Sequence, residues 1–204
     1  MRVKRGAVWV VALVAGAFGA SGARALSLAD LAGGGGFTTA RGVSFGAFTV
    51  KVRGHLSRDL TEYEVVATDD GFYVTGDAVP RRRARAARGR IQIRYDVGTS
   101  DPGGLLEATL AIQPGEERVS AKGKLFDGRK PIGKLAADSL SDLHDSMGLG
   151  GIASLRVRER IRLDGGFVRG WVSSSFSAVP EPSTAVLVGA GLAAAAAASR
   201  RRKA

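Results

Sequence analysis

The chain has 204 residues, no cysteine and two histidines, His55 and His144, a length for one domain with appendages. Disulfide scaffolds, cysteine-ligated zinc, iron–sulfur clusters and thiol catalysis are thereby excluded. The formal charge of +11 suggests nucleic acid, yet four basic residues lie in the first 25 positions and four in the last five; between Leu26 and Ala178, 22 cations meet 18 carboxylates, so the body is only mildly basic.

Residues 1–25 have the layout of a secretory signal peptide. Arg2, Lys4 and Arg5 precede an uncharged run over 7–20, too short for a comfortable membrane span. Ala23 and Ala25 supply small residues at −3 and −1 of a cut before Leu26. A cut after Ala23 is the alternative. The protein is expected to be exported, so nucleic acid is not expected as its partner.

The body, 26–178, alternates apolar and polar residues with period 2 between glycine-rich turns, which is a strand pattern. Strands are predicted over 43–53, 62–68 and 71–75. Further on, Ile91, Ile93, Tyr95 and Val97 alternate with Arg90, Gln92, Arg94 and Asp96; Leu106, Ala108, Leu110 and Ile112 alternate with Glu107 and Thr109. Strands over 118–125, 155–163 and 167–176 follow. Turns are expected at 68–71, 101–104, 127–128 and 164–166. The one helical candidate is 139–147, where Leu140, Leu143 and Met147 share a helical face, Ser139 can cap and Gly148 can terminate. Gly33–Gly36 reads as a flexible lead-in, not a phosphate loop. The expected fold is a single antiparallel β-sandwich, jelly-roll-like, of about eight strands, with a partly closed barrel as the alternative. A signal helix and a short C-terminal hydrophobic helix flank it.

Residues 179–204 form a third segment. Pro180-Glu181-Pro182 is stiff and extended. The uncharged stretch 183–199 follows, ~25 Å long as a helix against a ~30 Å hydrocarbon core. Arg200, Arg201, Arg202 and Lys203 then make a stop-transfer signal. This order of parts resembles the PEP-CTERM sorting signal of Gram-negative bacteria. The matching residues are Pro180, Glu181, Pro182, Ser183 and Thr184, the run 185–198, and 200–203. The resemblance implies transient inner-membrane anchoring and removal of the tail by an exosortase-type membrane protease. It implies delivery to the cell surface or to an exopolysaccharide or biofilm matrix, after signal peptidase has cut the other end. The body also resembles a group of PEP-CTERM passenger domains, through Leu28–Leu31, Phe45 and Phe48, Gly71–Tyr73, the strand holding Ile91, Ile93, Tyr95 and Val97, and 157–176. It departs from them over 79–90. The resemblance implies a β-sandwich and transfers no catalytic residues.

Two arginine clusters are the candidate binding residues. Arg81, Arg82, Arg83, Arg85, Arg88 and Arg90 crowd six guanidinium groups into ten residues, which repulsion makes an exposed loop or strand entry, Pro80 discouraging continuous pairing there. Arg156, Arg158, Arg160 and Arg162 project from one face of their strand. Acidic exopolysaccharide suits both clusters, because guanidinium pairs bidentately with carboxylate. If the last two strands form a hairpin, a two-residue turn places Phe167 and Trp171 with the arginines, and a three-residue turn places them in the core; the residues leave both registers open.

Catalysis is not expected. His55 has no nucleophile motif, and Ser173–Ser175 sits in a strand without one. His144, Asp142 and Asp145 do not converge as metal ligands on a short helix. Asp69-Asp70-Gly71 lacks the calcium-loop spacing and reads as a turn. No cofactor is expected. The alternatives are a secreted polysaccharide-acting enzyme, which needs two facing carboxyl groups ~5–9.5 Å apart, and a passive structural matrix component.

Overall fold

A computed structural model of the chain describes residues 25–76, 88–113, 118–164 and 172–178. Residues 1–24 of the expected signal peptide (1–25), the arginines at 81, 82, 83 and 85, and the sorting segment from 179 onward lie outside the described residues. Among the described residues no helix is long and apolar enough to cross a membrane.

Strand β1 (Ala25–Ser27) leads into helix α1 (Leu28–Ala32), β2 (Phe37–Thr38) and β3 (Val43–Gly54). The strands β4 (Tyr63–Ala67), β5 (Gly71–Gly76), β6 (Arg88–Thr99), β7 (Leu105–Ile112) and β8 (Arg118–Asp127) follow. Last come β9 (Lys130–Asp138), β10 (His144–Ile152), β11 (Ser154–Asp164) and β12 (Val172–Ala178). They form two six-stranded antiparallel sheets: sheet I in the order β1-β4-β5-β12-β7-β10, and sheet II in the order β2-β3-β6-β11-β8-β9. The eight strands β5 to β12 run β5-β12-β7-β10 in one layer and β6-β11-β8-β9 in the other. That is jelly-roll topology, the expected fold; β1–β4 extend both layers on one side, so the described strands number twelve where about eight were expected.

Alternation builds the core. Ile91, Ile93, Tyr95 and Val97 of β6 and Leu155, Val157, Ile161 and Leu163 of β11 all point inward and are 3% exposed or less. Phe45 and Phe48 lie three apart yet both face inward. A bulge between Gly46 and Thr49 re-phases β3, with Ala47 in the left-handed region at φ 53. The two rings meet Phe72 and Tyr95 at centroid distances of 5.3–6.1 Å, stitching the sheets together. A second bulge on β7 turns Leu106 out to 41% exposure, and the buried residue is its neighbour Leu105; the expected alternation slips there by one residue.

Three local expectations are corrected. The helix predicted over 139–147 is a turn followed by β10. The backbone N–H of Leu140 donates to Asp138 Oδ1, and β10 pairs with β7 from His144↔Ala111 onward. Leu140 and Leu143 are 66% and 40% exposed, so the apolar face that argued for a helix has nothing to bury against, while Gly148, Gly150 and Gly151 disfavour one. The short helix α1 forms instead at 28–32, held by a Ser27–Asp30 capping box, with Leu28 and Leu31 buried. Strand β9, absent from the sequence reading, completes a hairpin with β8 through Gly128 at φ 57. Finally, β11 and β12 are not a hairpin: they belong to opposite sheets. The question of their mutual register therefore does not arise, and Phe167 and Trp171 lie outside the described residues.

Gly71 opens β5 against β12, where a Cβ would run into the backbone carbonyl of Ser174 and come within 2.6 Å of Ser175 Cα. Gly71→Ala is expected to cost about 3 kcal/mol, read as a lowered urea midpoint, because backbone cannot yield as a side-chain tip can.

Candidate functional site: a cationic sheet face

The strands of sheet I contain no lysine or arginine at all. Its outer face carries Thr75, Ser173, Ser175, Thr109 and Ser146, with Glu64 and Glu107. The strands of sheet II carry fourteen lysines and arginines. Period-2 alternation against a buried inner face sends Lys51, Arg94, Arg158, Lys124 and their neighbours two residues on outward, and the register then aligns them in rows across the sheet.

Three adjacent rows hold ten cations. The first runs Thr49, Arg94, Arg158, Lys124, Lys134 across β3, β6, β11, β8 and β9. The second runs Lys51, Gln92, Arg160, Lys122, Ala136, and the third Arg53, Arg90, Arg162, Ser120, Asp138. Strand spacing of ~4.8 Å and ~3.4 Å per residue make this field roughly 19 Å by 14 Å. Arg90 and Arg94 are half-buried along their stems, while Arg158, Arg160 and Arg162 are exposed.

An ion pair closes each end of the field. Beyond the first row, Asp96 accepts from Arg156 Nε at 2.8 Å and from a second guanidinium nitrogen at 3.3 Å. This contact holds Arg156 more firmly protonated, through the hydrogen bond first and the charge second. Beyond the third row, Arg88 Nε lies 3.7 Å from Asp164. Among the described residues these are the two ion pairs, so the ten cations between them meet no described carboxylate at that range. Asp138, at the edge of the third row, is engaged by Leu140 N–H. Arg158 lies 5.8 Å from the centroid of the Phe126 ring, the aromatic on this face.

Of the expected arginines, Arg90, Arg158, Arg160 and Arg162 come together in the field, while Arg88 and Arg156 are its paired ends. Sequence reasoning missed Lys51, Arg53, Arg94, Lys122, Lys124 and Lys134. Their signal was present, since each alternates with an inward residue, but nothing local says that five strands share one sheet. The other candidates are ordinary structure. Asp69-Asp70-Gly71 is the β4–β5 turn, closed by Thr68 N–H donating to Gly71 O. Asp145 accepts from Ala136 N–H at 2.8 Å, and His144 is exposed on sheet I. A depression of about 580 Å³ beside β1 is lined by Glu62 and Glu64, the wrong sign for an anion.

Beneath the field lies a buried carboxyl group. Glu159, 2% exposed, occupies an inward position of β11 between Arg158 and Arg160. Tyr95 Oη of β6 donates to its Oε1 at 2.5 Å, and Ser174 Oγ of β12 donates to the same oxygen. Burial pushes the Glu159 carboxyl above its ordinary value, against the pull of the two hydroxyl donors. Burial, and then the Glu159 charge, push the Tyr95 phenol well up.

Fold and face together define a jelly-roll β-sandwich with one polycationic surface and one hydroxyl-rich surface that has no lysine or arginine on its strands. Residues 178–203 match the family model of the PEP-CTERM protein-sorting motif, so the chain carries that motif at its C-terminal end, with Pro180, Glu181 and Pro182 inside the match. The motif marks an exported, sorted protein with a transient membrane-anchored stage and implies processing by an exosortase. No curated protein sequence matches the chain. Among solved structures it is similar to TmCBM61 in complex with β-1,4-galactotriose, at 13% identity and TM-score 0.37, over 63% of this chain and 88% of that one. A bacteriophage CBA120 tailspike protein 4 domain matches at 8% identity and TM-score 0.34, over 65% of this chain and 19% of that one. Carbohydrate-binding modules of the β-sandwich superfamily match at 9% identity and TM-score 0.24, over 65% and 54%.

Proposed function

We propose that the protein is an exported, non-enzymatic binding protein whose β-sandwich domain, residues 26–178, holds acidic exopolysaccharide at the cell surface or in a biofilm matrix through the outer face of sheet II. Signal peptidase cuts between Ala25 and Leu26, and an exosortase removes the tail beyond Pro180-Glu181-Pro182. In the folded domain Ala25 and Leu26 are paired with Val66 and Val65, so that cut comes before β1 joins β4.

The observation that carries the proposal is a cost. Arg53–Arg90, Arg90–Arg162, Arg94–Arg158, Arg158–Lys124 and Lys124–Lys134 are directly opposed like charges on neighbouring strands. Each such pair opposes folding. A face under no demand but solubility would mix the signs, and conflicts of this kind are expected at functional sites. The carboxylates on this face support the non-enzymatic reading. Asp96 and Asp164 oppose Arg156 and Arg88 respectively, eight residues and ~27 Å apart, while Asp138 lies two strands and one row from Asp164, ~12 Å away; both separations exceed that of a glycosidase pair.

The test is retention of the full chain on immobilised polygalacturonate at ~0.15 M salt, where exposed pairs are only partly screened. Replacing Arg160, Arg162, Lys122 and Lys124 together by Gln is expected to weaken binding about a hundredfold. Replacing Arg81, Arg82, Arg83 and Arg85 by Ser is expected to change it much less. Unchanged retention in the first variant would leave a passive matrix component.

A further inference from the structure

Resting on that reading, we infer that the polymer crosses the strands of sheet II along the row Arg94–Arg158–Lys124–Lys134, and that the face selects polyuronates carrying a carboxylate on every consecutive sugar. The three rows are unequal. In the first, four adjacent strands each present a cation without interruption. The second is broken by Gln92 and ends at Ala136, and the third passes from Arg162 to Ser120 and Asp138.

Direction follows from spacing. Across the strands successive cations are ~4.8 Å apart, whereas along β11 they are ~6.8 Å apart, and Arg156 at the end of that line is already engaged by Asp96. A 1,4-linked pyranose chain advances by close to one strand spacing per residue. A polyuronate lying across the sheet therefore meets a new strand with each sugar. Where its carboxylates alternate sides, every second one points the same way, and in the second row, ~6.8 Å to one side, Lys51 and Arg160 stand two strands apart to receive them. A polymer with one acid per two sugars leaves every second strand's cation unpaired. The strands themselves are the ruler, because backbone hydrogen bonding holds their separation.

The experiment uses the full chain and polygalacturonate methyl-esterified to equal total charge, either in blocks or at random. The block polymer, with runs of consecutive free acids, is expected to bind about tenfold more tightly. Arg94→Gln with Lys134→Gln should abolish that preference. Arg53→Gln with Arg90→Gln, which removes the same charge off the track, should preserve it. Both variants are first shown to unfold at or above the parent's urea midpoint, as relief of the like-charge pairs requires. Equal binding of block and random polymers, or equal loss of preference in the two variants, overturns the inference and leaves the cationic face as an undirected charge field. Failure of fully de-esterified polygalacturonate to bind overturns the proposed function itself. Displacement by duplex DNA at an equal concentration of charge overturns the assignment to carboxylates.

Discussion

Glu159→Ala is expected to destabilise the domain by ~3–5 kcal/mol, while Glu159→Gln at pH 5 is expected to cost about 1 kcal/mol or less. Alanine leaves a cavity between the sheets and strips the acceptor from two buried hydroxyls, Tyr95 Oη and Ser174 Oγ. Glutamine keeps a carbonyl oxygen in that place. The pH dependence of stability separates the two effects further. The folded-state pKa of Glu159 lies above its unfolded value, so between those two values the native state binds more protons than the unfolded chain. Stability from this group is therefore full below the unfolded carboxylate range, near pH 4.3, and is lost as pH rises through the folded pKa. Urea midpoints of the parent should fall from pH 5 toward pH 8, and those of Glu159→Gln should fall less. An identical slope in both chains would show that ionisation of Glu159 does not govern the trend.

Arg158→Glu is expected to move stability and binding in opposite directions. Arg158 opposes Arg94 on one side and Lys124 on the other. A carboxylate there turns two repulsive pairs into two attractive ones, worth roughly 0.2–1 kcal/mol each. Loss of the contact with Phe126 offsets ~0.5–1 kcal/mol of that gain. The net expectation is an unchanged or higher urea midpoint. Affinity for polygalacturonate at ~0.15 M salt should drop by more than tenfold, since the substitution puts an anion in the middle of the first row. That is the signature of a residue kept for what it binds and not for what it stabilises. A lower midpoint with unchanged affinity would make Arg158 a structural residue and remove it from the track.

The failures of sequence reading share one physical origin. At 139–147 a short apolar pattern fits a helix and an edge strand equally, and the deciding contact, β10 on β7, is made with residues some 40 positions earlier. At 155–176 two strand patterns flank a glycine turn, which locally is a hairpin; in the jelly roll the chain crosses instead to the other sheet. The basic face was read as the one stripe at Arg156, Arg158, Arg160 and Arg162 because a stripe is local. Its extension to Lys51, Arg94 and Lys134 is a property of pairing between strands distant in sequence.

What the sequence by itself determined is what short range decides. Period 2 placed Ile91, Ile93, Tyr95 and Val97 on one side and the arginines on the other; Asp70-Gly71, Pro102-Gly103 and Asp127-Gly128 placed three of the turns; and Pro180, Glu181 and Pro182 with the tail that follows placed the sorting motif. Tertiary structure alone decided which strands lie side by side. A strand's backbone donors and acceptors are chemically the same whichever partner they meet, so local pattern cannot choose among partners. That choice gathered every strand lysine and arginine of the described residues into sheet II and left sheet I with none.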